Sequence, residues 1–271
     1  VVAAVDAHES LELVALLDGT PDWARHPLAP EHPFAPPASV GDYATFAGEV
    51  AARYAGSITY YQLWDEPNIK THWGNMDPDP AYYVAMLREA YQAIDAAGAE
   101  TYVIAAALAP TVETGPENLS DVLYLQAIYD LGGADYFDAA AAKPYGFDDD
   151  PYDRRVEQDH LNFSRWILLR EEMISRGDGD KALWGCNFGW NALPDDWTGP
   201  PSIWGSVSME DQAHYTRQAY ERAIREWPWT GGLIVQHWDP DAPADDPVHG
   251  FALAPVIDNC EPLNDLFPAD T

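Results

Sequence analysis

Ile58-Thr59-Tyr60-Tyr61-Gln62-Leu63-Trp64-Asp65-Glu66-Pro67-Asn68 runs from a short apolar stretch straight into two adjacent acids and a proline. The part over 58–64 is mostly apolar throughout instead of alternating, which is how a strand buried on both faces of a parallel sheet reads. Five other runs share this character, at 11–17, 102–108, 136–142, 182–188 and 232–238. Amphipathic segments lie between them. Asp79 can cap a helix that begins at Pro80, carries Val84, Leu87, Tyr91 and Ile94 on one face, and closes at Gly98. Ser208 with Asp211 makes a capping box ahead of a helix bearing Tyr220, Ile224 and Trp227. Further helices are expected over 154–176, with Phe163, Ile167 and Ile174 inward, and over 120–131 and 41–54.

Strand–helix alternation implies right-handed βαβ units and a parallel α/β sheet. A closed TIM (β/α)8-type barrel needs eight strands, and six runs are found. The opening residues 1–8 look like the end of a helix that leads into the first run. The expectation is therefore one incomplete barrel domain over 1–271, holding the third to the eighth strands and lacking the first two β/α units. The upstream part of the barrel would come from the same protein or from another chain. An open, doubly wound six-stranded sheet is the alternative architecture. No glycine-rich phosphate loop follows any run, which argues against a dinucleotide-binding fold.

With 45 Asp and Glu against 14 Lys and Arg, the net charge is −31. Such a field repels phosphate backbones and anionic lipid, so nucleic acid is a poor partner. No stretch of 18 apolar residues suggests membrane insertion. The two cysteines, Cys186 and Cys260, make neither a disulfide framework nor a metal motif, and the histidines show no ligand spacing. Neither a metal nor a cofactor is expected.

The acid pair that ends the 58–64 run sits where β/α barrels keep their chemistry, at a strand's C-terminal end. By itself the pair could merely cap the next helix. It has company along the chain. Gly19-Thr20-Pro21-Asp22-Trp23-Ala24 follows the first run, Lys143-Pro144-Tyr145-Gly146 follows the fourth, Trp184-Gly185-Cys186-Asn187-Phe188-Gly189-Trp190 spans the end of the fifth, and Gln236-His237-Trp238 ends the sixth. Together these resemble the strand-end signatures of clan A glycoside hydrolases, most closely the family 39-like and family 5-like branches, over roughly residues 10–255. The 64–68 run is similar to Trp-Asn-Glu-Pro-Asn, 143–146 to His-Pro-Tyr-Gly, and 184–190 to Trp-x-Thr-Glu-Phe-Gly-Trp.

The resemblance implies a carbohydrate ligand and a retaining pair of carboxyl groups, one protonating the leaving oxygen and the other attacking the anomeric carbon. It puts Glu66 at the acid/base position and Asn187 at the nucleophile position. An amide is a poor nucleophile and brings no charge to an oxocarbenium-like transition state. Asp65 stands where the clan has an Asn that holds a sugar hydroxyl, and Lys143 where it has a His. Tyr145, Trp190 and Trp238 complete the implied substrate contacts, with the remaining tryptophans read as packing. The expectation is a catalytically impaired, pseudo-glycosidase barrel that binds carbohydrate or serves as a scaffold. Two alternatives stay open. One is an active hydrolase pairing Glu66 with a rim acid, the candidates being Glu113, Asp148, Asp149, Asp150, Asp239 and Asp241. The other is a structural subunit with a vestigial cleft. The resemblance also implies an extracellular or cell-surface location.

Overall fold

The computed structural model describes residues 1–253 apart from Glu9 and Ala99. A single helical turn, α1 (Val2–Val5), precedes β1 (Val14–Leu17). Then follow α2 (Val40–Arg53), β2 (Tyr60–Asp65), α3 (Pro80–Ala96), β3 (Tyr102–Leu108), α4 (Asp121–Asp130), β4 (Ala139–Ala142), α5 (Trp166–Ser175), β5 (Ala182–Phe188), α6 (Met209–Glu226) and β6 (Thr230–Val235). The six strands pair in sequence order, every neighbour parallel, as a curled part-barrel. Among the described residues β1 and β6 are the two edges. Cys260 lies outside the described residues.

The helices start where their caps direct. Asp79 accepts from Tyr82 N, with Pro80 in the first turn, where its missing N–H costs nothing. Ser208 accepts from Asp211 N, and its hydroxyl bonds the Asp211 carboxylate in return. Ser208→Ala is expected to cost about 1 kcal/mol, read as a lower urea midpoint with an unchanged slope.

Two expectations about the helices are corrected. The helix expected over 154–176 is confined to the 3-10 turn Phe163–Arg165 and α5. Residues ahead of it form an irregular loop tied by Asn162 Nδ2 to the Asp153 carboxylate and by Arg165 to three carbonyls, Glu157, Gln158 and His160. Side-chain hydrogen bonds to that backbone compete with helix formation. Ile174, expected inward, is 56% exposed, and Ile224 on α6 is 82% exposed.

Strand side chains divide two layers. Leu63, Val103, Ala105, Ala140, Leu183 and Phe188 face the helices and join one large core with Met86, Leu87, Ile94, Leu125 and Trp166. Ile104, Ala107, Ala139, Ala141, Trp184 and Cys186 face the other way and line the barrel interior with Val14, Tyr60 and Tyr102. Each fully buried Leu or Ile contributes roughly 1.5–3 kcal/mol, so both faces of the sheet stabilise it. Small residues make room for large ones: a Cβ on Gly231 or Gly232 would overlap the Trp184 indole. Between the two edges the interior opens as a trough of about 580 Å³, walled by Val14, Leu16, Tyr60, Gln62, Cys186 and Asn187.

Candidate active site

Glu66 follows the last residue of β2 with its backbone N–H donating to Ala107 O at 2.9 Å, so β3 holds it in place. Asn68 stitches the next turn to the β3 loop, donating to Ala109 O at 2.8 Å and Leu119 O at 2.9 Å and accepting from Ala109 N at 2.9 Å. Trp64, flanking the acid pair, is fully buried between Tyr43 and Trp73 and donates from Nε1 to His72 O at 3.1 Å. Consecutive strand residues normally face opposite sides of a sheet. That rule would send the Asp65 and Glu66 side chains apart, and the structure corrects it. Glu66 adopts φ 47, in the left-handed region, and Trp64 φ 74. The alternation breaks here, and both carboxylates reach one ammonium group.

That group is Lys143, which follows β4 and is 5% exposed. Its Nζ lies 2.7 Å from Asp65 Oδ2 and 2.9 Å from Glu66 Oε1. His72 Nε2 stands 3.3 Å from the other Glu66 oxygen, and Gln62 Nε2 donates to Asp65 Oδ1 at 3.3 Å. Burial pushes the Glu66 carboxyl up, but Lys143 and His72 outweigh it and hold Glu66 below its ordinary value. Burial holds Asp65 above its ordinary value, aided by the Glu66 charge and opposed by Lys143. Burial disfavours the Lys143 ammonium, yet Asp65 and Glu66 outweigh that and hold it well above its usual range. Two carboxylates sharing one cation titrate as a unit. Their unequal environments keep Glu66 the more firmly ionised member.

Asn187 lies near the end of β5 at φ 68, where the pairing with β6 slips between Cys186 and Phe188. The bulge turns it into the trough wall beside Cys186 and Gln62. Among the described residues no hydrogen bond joins Asn187 to Glu66. Tyr145 packs next to Lys143, is 2% exposed, and donates its hydroxyl to Gln236 Oε1 at 2.7 Å.

The two tryptophans expected to contact sugar differ. Trp238 is 51% exposed on the rim after β6. Trp190 is 0% exposed and donates Nε1 to Asp149 O at 2.7 Å, with Phe163, Phe188 and Tyr215 around its ring. Gly146 lies so close to it that an added Cβ would overlap the indole. Trp190 is a packing residue in this structure, because neither ring face is free. Trp23, read as packing, is instead 81% exposed.

Most of the candidate rim acids serve the loops. Glu113 accepts from Asn118 Nδ2, Asp148 from Ser206 N and Asp150 from Tyr152 N. Asp149 is paired with Arg155 and His160. Among the described residues two groups bring ligand-type atoms within 4.8 Å, Asp65 with Glu66 and His72, and Asp149 with Asp153 and His160. Lys143 supplies the positive charge in the first and Arg155 in the second.

One acid escaped the sequence reading. Asp18 directly follows β1, and burial together with the Asp65 charge raises its carboxyl to about 7, against the pull of Gly19 N–H and Lys143. The available signal was its position, an acid immediately after an apolar run and before a glycine.

The described residues superpose on solved glycosidases. A family 39 glycoside hydrolase from the gut symbiont Bacteroides cellulosilyticus WH2 matches with a TM-score of 0.67 at 18% identity, over 93% of this chain and 48% of that one. The fold is that of a glycoside-hydrolase β/α barrel. A glucosidase from Croceicoccus marinus matches with a TM-score of 0.62 at 14% identity, covering 86% of this chain and 44% of that one. A GH128 endo-β-1,3-glucanase from Sorangium cellulosum matches at 0.54 and 15% identity, over 90% and 81%. The chain thus spans about half the length of the first two glycosidases. No family model matches it, and neither does any curated protein. In this β/α barrel fold the six parallel strands run in order, and the acid pair, Lys143 and Trp238 all lie at or just after the C-terminal ends of their strands.

Proposed function

We propose that this barrel binds carbohydrate and does not carry out retaining glycoside hydrolysis. The reading is carried by one observation: Lys143 Nζ bridges Asp65 and Glu66 at 2.7 and 2.9 Å. A general acid must hold a proton at the oxygen facing the leaving group. Here one Glu66 oxygen faces an ammonium and the other faces His72, and Glu66 is held ionised. The second half of the retaining device, a carboxylate about 5–5.5 Å away, has no counterpart in the Asn187 amide. What remains is a set of polar side chains at the strand ends and a half-exposed Trp238 on the rim after β6, a kind of surface that suits sugar binding. The similar structures named a glucosidase and an endo-β-1,3-glucanase support a glucose-type sugar as the first ligand to try.

The test is turnover of a panel of aryl β-glycosides by the parent, Glu66→Gln and Asn187→Glu. The parent is expected to be inert. Asn187→Glu is expected to gain at most slow turnover, since Lys143 still holds Glu66. Turnover by the parent that Glu66→Gln abolishes would overturn the reading.

A further inference from the structure

Beside the cluster, between the end of β1 and the first turns of α2, lies a recess of about 320 Å³. Its wall includes Asp18, Thr20, Trp23, Tyr43 and Phe46 and is mainly apolar. Its size falls within the roughly 300–1,000 Å³ of small-molecule sites. The hydroxyls in the wall are spent: Tyr43 donates to Leu17 O and Thr20 to Ala35 O, each at 2.7 Å. Asp18 differs from its neighbours. Both oxygens of Asp65 and both of Glu66 face protein partners. Asp18 Oδ1 accepts from Gly19 N at 2.8 Å, and among the described residues its other oxygen has no partner.

We propose that this recess is a carbohydrate subsite in which Asp18 hydrogen-bonds a sugar oxygen and Trp23 offers its ring to the sugar face. The inference rests on the carbohydrate reading above and adds to it a place, a contact residue and a pH dependence. The groups around Asp18 are Asp65, Glu66 and Lys143 on the cluster side and Tyr43 and Asp42 on α2. Arg25 on the rim is tied instead to Asp22 and to Thr20 O. With burial and the Asp65 charge raising it to about 7, Asp18 is a neutral acid below that pH. A neutral carboxyl both donates and accepts, whereas a carboxylate only accepts. The ligand is a neutral sugar: a sugar acid would meet Asp65, Glu66 and the field of a chain with net charge −31.

The experiment is isothermal titration calorimetry with cellobiose and laminaribiose at pH 5.5 and pH 8.5, on the parent chain, Asp18→Asn and Trp23→Ala. At least one disaccharide is expected to bind the parent at pH 5.5. Affinity is expected to fall up to about 30-fold at pH 8.5, as the neutral fraction of Asp18 falls. Asp18→Asn, which keeps a donor, is expected to bind with no such fall, and Trp23→Ala about tenfold more weakly at either pH. Far-UV circular dichroism checks that both variants are folded. Binding that ignores pH and both substitutions would overturn the recess and leave carbohydrate binding standing. Failure of both disaccharides at pH 5.5 would overturn both readings. Hydrolysis by the parent would overturn the non-hydrolytic reading alone.

Discussion

Lys143→Met is expected to destabilise the fold by about 3–5 kcal/mol at pH 7, the usual cost of removing one partner from a buried ion pair. Two carboxylates, 7% and 9% exposed, would then face each other without a cation. The deficit should depend on pH. Glu66 is held below its ordinary value, so its pairing stabilises above the unfolded-state value and is lost as pH falls through the folded one. In the variant the carboxyls instead take up protons as pH falls, which relieves their repulsion. The gap between parent and variant should therefore narrow from pH 7 to pH 4 in guanidinium denaturation. Adding Asp65→Asn and Glu66→Gln to Lys143→Met should recover much of the loss at pH 7, because no uncompensated charge is left. A gap that is constant with pH would show that Lys143 acts by packing alone.

Trp190→Ala should cost about 3–5 kcal/mol, while Trp238→Ala should stay within about 0.5 kcal/mol. Trp190 is fully enclosed and bonded to Asp149 O, whereas half of Trp238 meets solvent. Urea midpoints for the two variants read the contrast directly. Equal losses would mean that Trp238 is as well packed as Trp190.

The inner strands were legible because they are buried on both faces, whereas the edge strands β1 and β6 are half open. The runs at 102–108 and 182–188 coincide with β3 and β5. The run at 136–142 shrinks to β4, because residues Gly133–Tyr136 form a 3-10 turn and the pairing begins only at Ala139. Of the site, Glu66, Asp65 and Lys143 were findable from their strand-end positions. Their shared ion pair was not, because it depends on a left-handed residue that no side-chain pattern announces. Trp190 was misread for a related reason: a tryptophan just past a strand end can turn to the rim or into the helices. Gly146, which leaves the room for its ring, lies in a different loop. Asp18 acquires its character from burial and from the Asp65 charge, and Asp65 lies far from it in sequence.

The slip in β5 at Asn187 carries a consequence for how this chain tolerates insertion and deletion. Because strand side chains alternate, losing one residue flips every side chain that follows. Here the extra residue lets Cys186 and Asn187 both face the trough while Phe188 stays among the helices. Removing the bulged residue would leave Phe188 on the helix side, whereas a β5 straightened at full length would send it into the trough and unseat the aromatic cluster it forms with Phe163, Trp190 and Tyr220. A substitution at position 187 is a local event by comparison. It is not a free one: at φ 68 position 187 takes Asn, Asp or Gly more readily than a β-branched or bulky residue, so the bulge itself restricts what can stand there.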